Sequence, residues 1–306
     1  MDKNYFELRL KINPDMEDLI AEIFFDNFDC EGVVLAEETY KDLEMVSTTE
    51  GTLKIFLKDD DSTTLEDMQY DVENVLDLYR EEFLSRGLTD FELGSWDFEL
   101  EEKKSEDWSQ KWKEKWDVTH VTDKIAVVPD WIDYKPKDNE VIIKLEPGCA
   151  FGTGTHQTTQ LCMKALEKYM NKGDKVADIG MGSGILSILA KKLGASYVYG
   201  CDTDDTVIEV AKENANKNNV EATFELGTAD KVQDKFDFVC ANILHFVLAE
   251  IMGDLKNLMK TGALMSLSGI LDEKKQMVID AYEKENLELV EEIHQDQWTS
   301  FVVKRV

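Results

Sequence analysis

The stretch Val176-Ala177-Asp178-Ile179-Gly180-Met181-Gly182-Ser183-Gly184-Ile185 governs how the second half of the chain is read. Val176 to Ile179 is the short apolar run of a strand buried on both faces, and Ile185 to Leu193 spaces its apolar residues as a helix does. Between them glycines occupy alternate positions. They let the backbone come close to a ligand and take φ angles closed to other residues. Strand, glycine loop and helix in that order mark where open α/β sheets receive nucleotide-like ligands. A dinucleotide fingerprint beginning at Gly180 needs a glycine or alanine at position 185, where Ile185 stands, and the register beginning at Gly182 meets Ser187.

The spacing Gly-x-Gly-x-Gly after Asp178 matches instead a loop for S-adenosylmethionine, a ligand without pyrophosphate, with Gly180 and Gly182 as contact positions. Working outward, Tyr197 to Cys201 is the next strand, and Asp202 at its end is placed to accept bonds from two ribose hydroxyls. An acid there disfavours a phosphorylated ribose. Asp202 could instead cap the following helix, Asp205 to Asn218, but Asp204 is better placed for that. Phe236 to Ala241 and Ala263 to Leu267 are further strands, with a helix from about Phe246 to Met259 between them. Strands alternating with helices imply a parallel sheet covered on both faces. Leu287 to Ile293 and Thr299 to Lys304 read as a terminal antiparallel hairpin, a feature of methyltransferases that nucleotide dehydrogenases usually lack.

Asn242 ends the strand before it, so its amide can reach the cofactor or an accepting amine. Enzymes that methylate exocyclic amines of bases often carry Asn or Asp, two prolines and an aromatic residue at this point. Asn242-Ile243-Leu244-His245 is not that sequence. His245 can accept a proton, although a lone histidine more often caps or packs.

The first hundred residues have a different grammar. Phe6, Leu8, Leu10 and Ile12 share one face of a strand, and Pro14-Asp15 opens a helix with Met16, Leu19, Ile20, Ile23 and Phe24 inward. Gly32 to Ala36 and Leu53 to Leu57 are strands. A helix from about Thr64 turns Met68, Val72, Val75, Leu76, Tyr79 and Phe83 inward, and Phe91 to Leu100 closes the unit as a strand. The order β-α-β-β-α-β predicts a ferredoxin-like sandwich. Residues 101–117 follow as a charged helix with Trp108, Trp112 and Trp116 on one face, capped by Ser105 and packing its stripe on a neighbouring domain. Ile125 to Val128 then enters the second domain as a strand.

The formal charge is −30 over 306 residues, with no local basic patch. Such a chain repels nucleic acid phosphates and anionic membranes, so neither is expected as a direct partner; a basic partner would be attracted. The acidity also fits a merely solvated surface. Cys30, Cys149, Cys162, Cys201 and Cys240 lie far apart without a C-x-x-C pair, which points to reduced thiols and to no metal site. No signal peptide is visible and no apolar run approaches the roughly 20 residues of a membrane span, so a cytoplasmic protein is expected.

One segment remains, Glu146-Pro147-Gly148-Cys149-Ala150-Phe151-Gly152-Thr153-Gly154-Thr155-His156-Gln157-Thr158-Thr159. Hydroxyl-rich turns with close glycines precede a helix from about Gln157 to Met170, with Thr155 as its expected N-cap. Such a segment, Phe151 included, can cover a ligand. Together with Asp178 to Leu193, Ala241-Asn242-Ile243-Leu244 and Ser268-Gly269-Ile270, it closely resembles the PrmA family, strongly from about residue 120 onward and in layout before that. Glu146, Gln157, Asp205, Met181 and His245 depart from the usual family pattern without removing a group the cofactor needs.

That resemblance implies a Rossmann-like, seven-stranded class I methyltransferase domain over 131–306. Before it are expected a ferredoxin-like substrate-recognition domain over 1–100 and a mobile linker helix and connector over 101–130. It implies S-adenosylmethionine contacts by Thr159, Gly180, Asp202 and Asn242; the place of Asn242 at a strand end also makes it, with nearby backbone carbonyls, the residue expected to orient the acceptor amine. It further implies a monomeric enzyme that methylates lysine side chains and the N-terminal amine of large-subunit ribosomal protein eleven, a basic substrate. Methylation of another protein or a small molecule, and a cofactor-binding assembly module without turnover, remain as alternatives.

Overall fold

A computed structural model describes residues 4–28, 30–34, 40–41, 44–45, 51–58, 63–104, 117–145 and 154–306. The chain divides into two compact units, Met1–Trp116 and Asp117–Val306.

In the first unit β1 (Asn4–Ile12), β2 (Cys30–Val34), β5 (Gly51–Lys58) and β6 (Phe98–Lys104) form one sheet in the order β2-β5-β1-β6, every pairing antiparallel; β3 (Tyr40–Lys41) and β4 (Glu44–Met45) make a separate small ladder. Helices Glu17–Asn27 and Leu65–Ser85 supply the two α passages of a ferredoxin-like order. The alternation in β1 holds: Phe6, Leu8, Leu10 and Ile12 are buried, while Glu7 on the opposite face binds the Arg9 guanidinium at 2.7 Å. The second helix begins where its sequence says it should, in a capping box between Thr64 and Asp67, and buries Met68, Val72, Leu76 and Phe83.

The strand expected over Phe91 to Leu100 is corrected. Asp90–Leu93 is a short helix with its own capping box, Thr89 with Glu92, and Gly94 stops it at φ 85°. An alanine at 94 would bring its Cβ to 2.5 Å from the Asn13 nitrogen, so only glycine lets the chain turn there. The strand starts at Phe98 and runs to Lys104, past the boundary expected at residue 100. The tryptophan stripe Trp108, Trp112 and Trp116, and the helix expected to carry it, lie outside the described residues.

The second unit opens with β7 (Thr119–His120), β8 (Ile125–Pro129) and β9 (Val141–Leu145), a three-stranded sheet in which β8 and β9 run parallel. It falls within the compact unit Asp117–Val306. Its main sheet contains β10 (Lys175–Ile179), β11 (Tyr197–Asp202), β12 (Thr223–Leu226), β13 (Phe236–Asn242), β14 (Met259–Leu271), β15 (Leu287–Gln295) and β16 (Trp298–Arg305). The order is β12-β11-β10-β13-β14-β16-β15, parallel except for β16, which is antiparallel to both neighbours. This is the expected seven-stranded, Rossmann-like α/β sheet with its terminal hairpin.

One apolar cluster, with Val176, Ile188, Leu189, Val198 and Phe238, covers one face of the sheet beneath helices Gln157–Tyr169, Ile185–Lys192 and Thr206–Lys217. A second, with Val239, Leu248, Leu255, Met265 and Phe301, covers the other beneath His245–Leu258 and Lys275–Lys284. The strand order reverses between β10 and β13, which run parallel, so the carboxyl ends of β10, β11, β13 and β14 border one crevice. No helix among the described residues is long and apolar enough to cross a membrane.

Candidate active site

The glycine loop leaves β10 with Gly180 at φ 68°, Gly182 at φ 49° and Gly184 at φ 76°, all in the region closed to most side chains. The Gly180 N–H donates to the Cys201 carbonyl at 2.9 Å, which ties the loop to the end of β11. A Cβ at Gly180 would lie 2.3 Å from Ile243 Cγ2, so the loop and the turn after β13 touch through this one position. Met181, one of the departures from the family pattern, is buried against Gly200: its Sδ fills the space that a Cβ there would take, at 2.6 Å. A large residue in the loop is thus matched by a bare backbone on β11.

Asp202 ends β11 as expected, and its carboxylate does two things. Gly182 N–H donates to Oδ2 at 2.9 Å and Asp204 N–H to Oδ1 at 3.2 Å, which fixes the glycine loop from below. A carboxylate has about four acceptor sites, so capacity remains for a ligand hydroxyl. Burial raises its pKa while the Gly182, Asp204 and Thr203 N–H groups lower it. Asp205 is the N-cap of helix Thr206–Lys217 without a side-chain bond, and Asp204 before it holds the helix start: its side chain accepts from Thr206 N–H at 2.8 Å and from the Thr206 hydroxyl at 2.7 Å.

Asn242 ends β13 and is buried. Its Nδ2 donates to Thr159 Oγ1 at 3.3 Å, and its Oδ1 has no hydrogen-bond partner among the described residues. Thr159 itself is fully buried in the first turn of helix Gln157–Tyr169. The turn after Asn242 is held on both sides. Ile243 lies over Gly180, and the Ile243 carbonyl oxygen sits 2.3 Å from where a Cβ of Gly269 would be. Gly269 has φ 85° and falls in the bulge between Leu267 and Ile270 of β14, so the bulge and its glycine make room for the Asn242-Ile243 backbone. Ser268 beside it donates to the Thr158 carbonyl at 3.0 Å, joining β14 to the same helix start.

Sequence reasoning missed Ser187. Its N–H and hydroxyl both donate to Asp178 Oδ2, at 3.0 and 2.8 Å, while Oδ1 has no partner among the described residues. Burial pushes the Asp178 carboxyl up to about 7, with the Ser187 bonds opposing and the Asp202 charge adding. The expected N-cap Thr155 is corrected to His156, whose Nδ1 accepts from Thr158 N–H at 3.3 Å; the Thr155 carbonyl accepts from Gln160 instead, at 2.8 Å. Imidazole at this place competes successfully because Nδ1 also meets the Thr158 hydroxyl at 2.7 Å and the ring packs edge-on to Trp298. Gly154, at φ 83°, faces Val127 and Ile185 so closely that a Cβ would lie 2.8 and 2.9 Å from them. Phe151, with the rest of 146–153, lies outside the described residues.

These groups fit S-adenosylmethionine. Asp178 Oδ1 and Asn242 Oδ1 are buried acceptors without a partner among the described residues, which suits a molecule that offers ammonium and hydroxyl donors, and the three positive-φ glycines carry no side chain that would bar its approach. Among the described residues no group of three or more acids, histidines and cysteines could hold a metal ion.

The comparisons with known proteins agree. The family model "Ribosomal protein L11 methyltransferase (PrmA)" matches residues 4–306. A protein of that name from Dictyoglomus thermophilum is 34% identical over 315 residues, with 98% of each chain covered. One from Acetivibrio thermocellus is 40% identical over 205 residues, with 66% of each covered. The crystal structure of a ribosomal protein L11 methylase from Lactobacillus delbrueckii subsp. bulgaricus superposes with a TM-score of 0.58 at 34% identity, covering 62% of this chain and 99% of that one. The chain belongs to the PrmA family of S-adenosylmethionine-dependent methyltransferases.

Proposed function

We propose that this enzyme moves the methyl group of S-adenosylmethionine onto lysine side-chain and N-terminal amines of ribosomal protein L11. The single observation that carries the acceptor class is the Asn242 amide. With Nδ2 engaged by Thr159, the side chain at the carboxyl end of β13 keeps a buried Oδ1 without a partner among the described residues, an acceptor suited to an N–H donor. The names of the relatives matched along nearly the whole chain supply the identity of the substrate.

The residues proposed to hold the cofactor are Gly180 and Gly182 by backbone approach, Asp202 through the ribose hydroxyls, Thr159 and Asn242 near the methionine end, and Phe151 as part of a covering segment. The bound cofactor supplies a methyl group on a sulfonium, ready for in-line displacement. The protein aligns nitrogen with that carbon and excludes water. The amine must also be neutral, and a lysine with pKa ~10.4 costs roughly 4–5 kcal/mol to deprotonate at pH 7. An apolar surrounding lowers this cost by disfavouring the ammonium. Asn242 Oδ1 orients the amine by accepting one of its hydrogens. The first unit selects the substrate, and residues between 101 and 130 act as the connector.

Incubating the enzyme with purified L11 and methyl-labelled cofactor tests the proposal. Label on L11 amines is expected, and an unlabelled L11 overturns it. Mass spectrometry of L11 from cells with and without the enzyme locates the modified amines.

A further inference from the structure

We propose that Met181 is a positioning residue for the cofactor: seated on Gly200 beside Phe224, its side chain holds the glycine loop where the Gly182 N–H meets Asp202, and residues 181 and 200 act as a size-matched pair. This rests on the reading above of the loop and Asp202 as the cofactor's seat.

The loop needs an anchor. Of residues 180–184, Gly180, Gly182 and Gly184 have positive φ, and glycine loses more conformational freedom on ordering than any other residue while offering no side chain to pack. Ser183 is held through its carbonyl, which accepts from Asn214 Nδ2 at 3.0 Å. Met181 is tied through backbone and side chain alike. Its N–H donates to the Cys201 carbonyl at 3.2 Å, its carbonyl accepts from the Gly184 N–H at 2.9 Å, and its side chain is buried. The next N–H along is that of Gly182, which meets Asp202 Oδ2 at 2.9 Å. Whatever displaces Met181 therefore displaces the loop against the proposed ribose acid.

The seat beneath Met181 has no slack. A Cβ at Gly200 would lie 2.6 Å from Met181 Sδ and 2.9 Å from Phe224 Cδ1, closer than real Cβ atoms approach. Gly200 lies within β11, and its φ is outside the left-handed region, so space and not backbone conformation asks for glycine there. Glycine weakens a strand interior, and its presence marks a close approach by another group. Here that group is the Met181 side chain. Phe224 is the register partner of Gly200 on β12, and its Cζ lies 3.3 Å from where a Cβ of Gly184 would be. One ring thus backs both the seat of Met181 and the far end of the loop, where Gly184 is the N-cap of helix Ile185–Lys192. A methionine that merely filled the core would ask nothing of position 200.

The test measures the Kd for S-adenosylmethionine by calorimetry, and stability by chemical denaturation without cofactor. The proteins are wild type, Met181→Leu, Met181→Ala, Gly200→Ala and the double variant Met181→Ala with Gly200→Ala. Leucine nearly conserves the volume of methionine, so its Kd should stay within about twofold of wild type. Met181→Ala removes the anchor and should raise Kd by about tenfold. Gly200→Ala should raise Kd by about tenfold while Met181 is present, and by less than about twofold once residue 181 is alanine, a coupling usual for side chains in contact. Lower stability with a wild-type Kd in the folded variants is what packing alone would give, and it overturns the proposal. So does a Gly200→Ala effect of equal size in both backgrounds. Each single variant decides alone if the other fails to fold, because a wild-type Kd in either sinks the pair. A wild type that does not bind S-adenosylmethionine counts against the cofactor reading itself, and with it this role of Met181.

Discussion

Asp178 and Asp202 end adjacent strands, yet their surroundings set them to opposite tasks. Asp202 is held by backbone N–H groups at the crevice, so Asp202→Ala removes the proposed ribose acceptor together with the anchor of Gly182. Cofactor binding should weaken by about 1–3 kcal/mol, the scale of a buried charged hydrogen bond. Calorimetry reads this, and an unchanged Kd means the ribose acid is elsewhere. Asp178 is fully buried with a carboxyl raised to about 7, against about 3.9 in an unfolded chain. A folded pKa above the unfolded one means stability is greatest below about pH 4 for this group and is lost as pH rises to about 7, at most on the order of 4 kcal/mol. Asp178→Asn removes that ionisation. In cofactor-free protein, the Tm of the variant relative to wild type should therefore rise between pH 5 and pH 8, and a flat or falling difference would refute the assignment. Asp202 could be found in the sequence because its spacing from the loop is a local regularity. Ser187 could not, because its bonds to Asp178 exist only once the loop folds the helix start back over β10.

At the scale of elements, the glycines separate two reasons for the same residue. Gly173 and Gly180 both have positive φ, 96° and 68°. A Cβ at Gly173 meets nothing within 4 Å, whereas one at Gly180 meets Ile243 at 2.3 Å. Gly173→Ala should cost only backbone strain, about 1–2 kcal/mol, and leave cofactor affinity alone. Gly180→Ala should cost that and also displace the Asn242 turn, so that cofactor affinity falls with stability. Chemical denaturation with calorimetry distinguishes them, and equal affinities in the two variants would remove the loop-to-turn contact from the account. The same contrast explains what could be read before the fold was known. The long strands and helices follow from period and caps, and β10, β11, β13 and the hairpin β15–β16 match expectation within a residue or two. Asp90–Leu93 was obscured because Phe91 and Leu93 alternate like a strand while a four-residue capping box makes a helix. The β7–β9 sheet depends on a parallel pairing between β8 and β9 across a connection, for which no local pattern exists.

For the whole molecule, the net charge of −30 is a property no single site explains. Acidity spread evenly would steer any basic partner, whereas a docking face would concentrate it. In the first unit, Glu66, Glu73, Asp77 and Glu81 are exposed along helix Leu65–Ser85 at spacings that share its outer side, with Tyr70 and Leu78 exposed among them at 66% and 64%. If the first unit selects a basic L11, replacing these four acids by lysine should raise the KM for L11 by tenfold or more, leaving kcat and cofactor Kd in place. Raising ionic strength from ~0.01 to ~0.15 M shortens the Debye length from about 30 to about 8 Å, and should raise the wild-type KM in the same direction. The reversed variant should lose that salt dependence. If it keeps both the wild-type KM and its salt response, recognition is diffuse and the outer face of this helix has no special part in it.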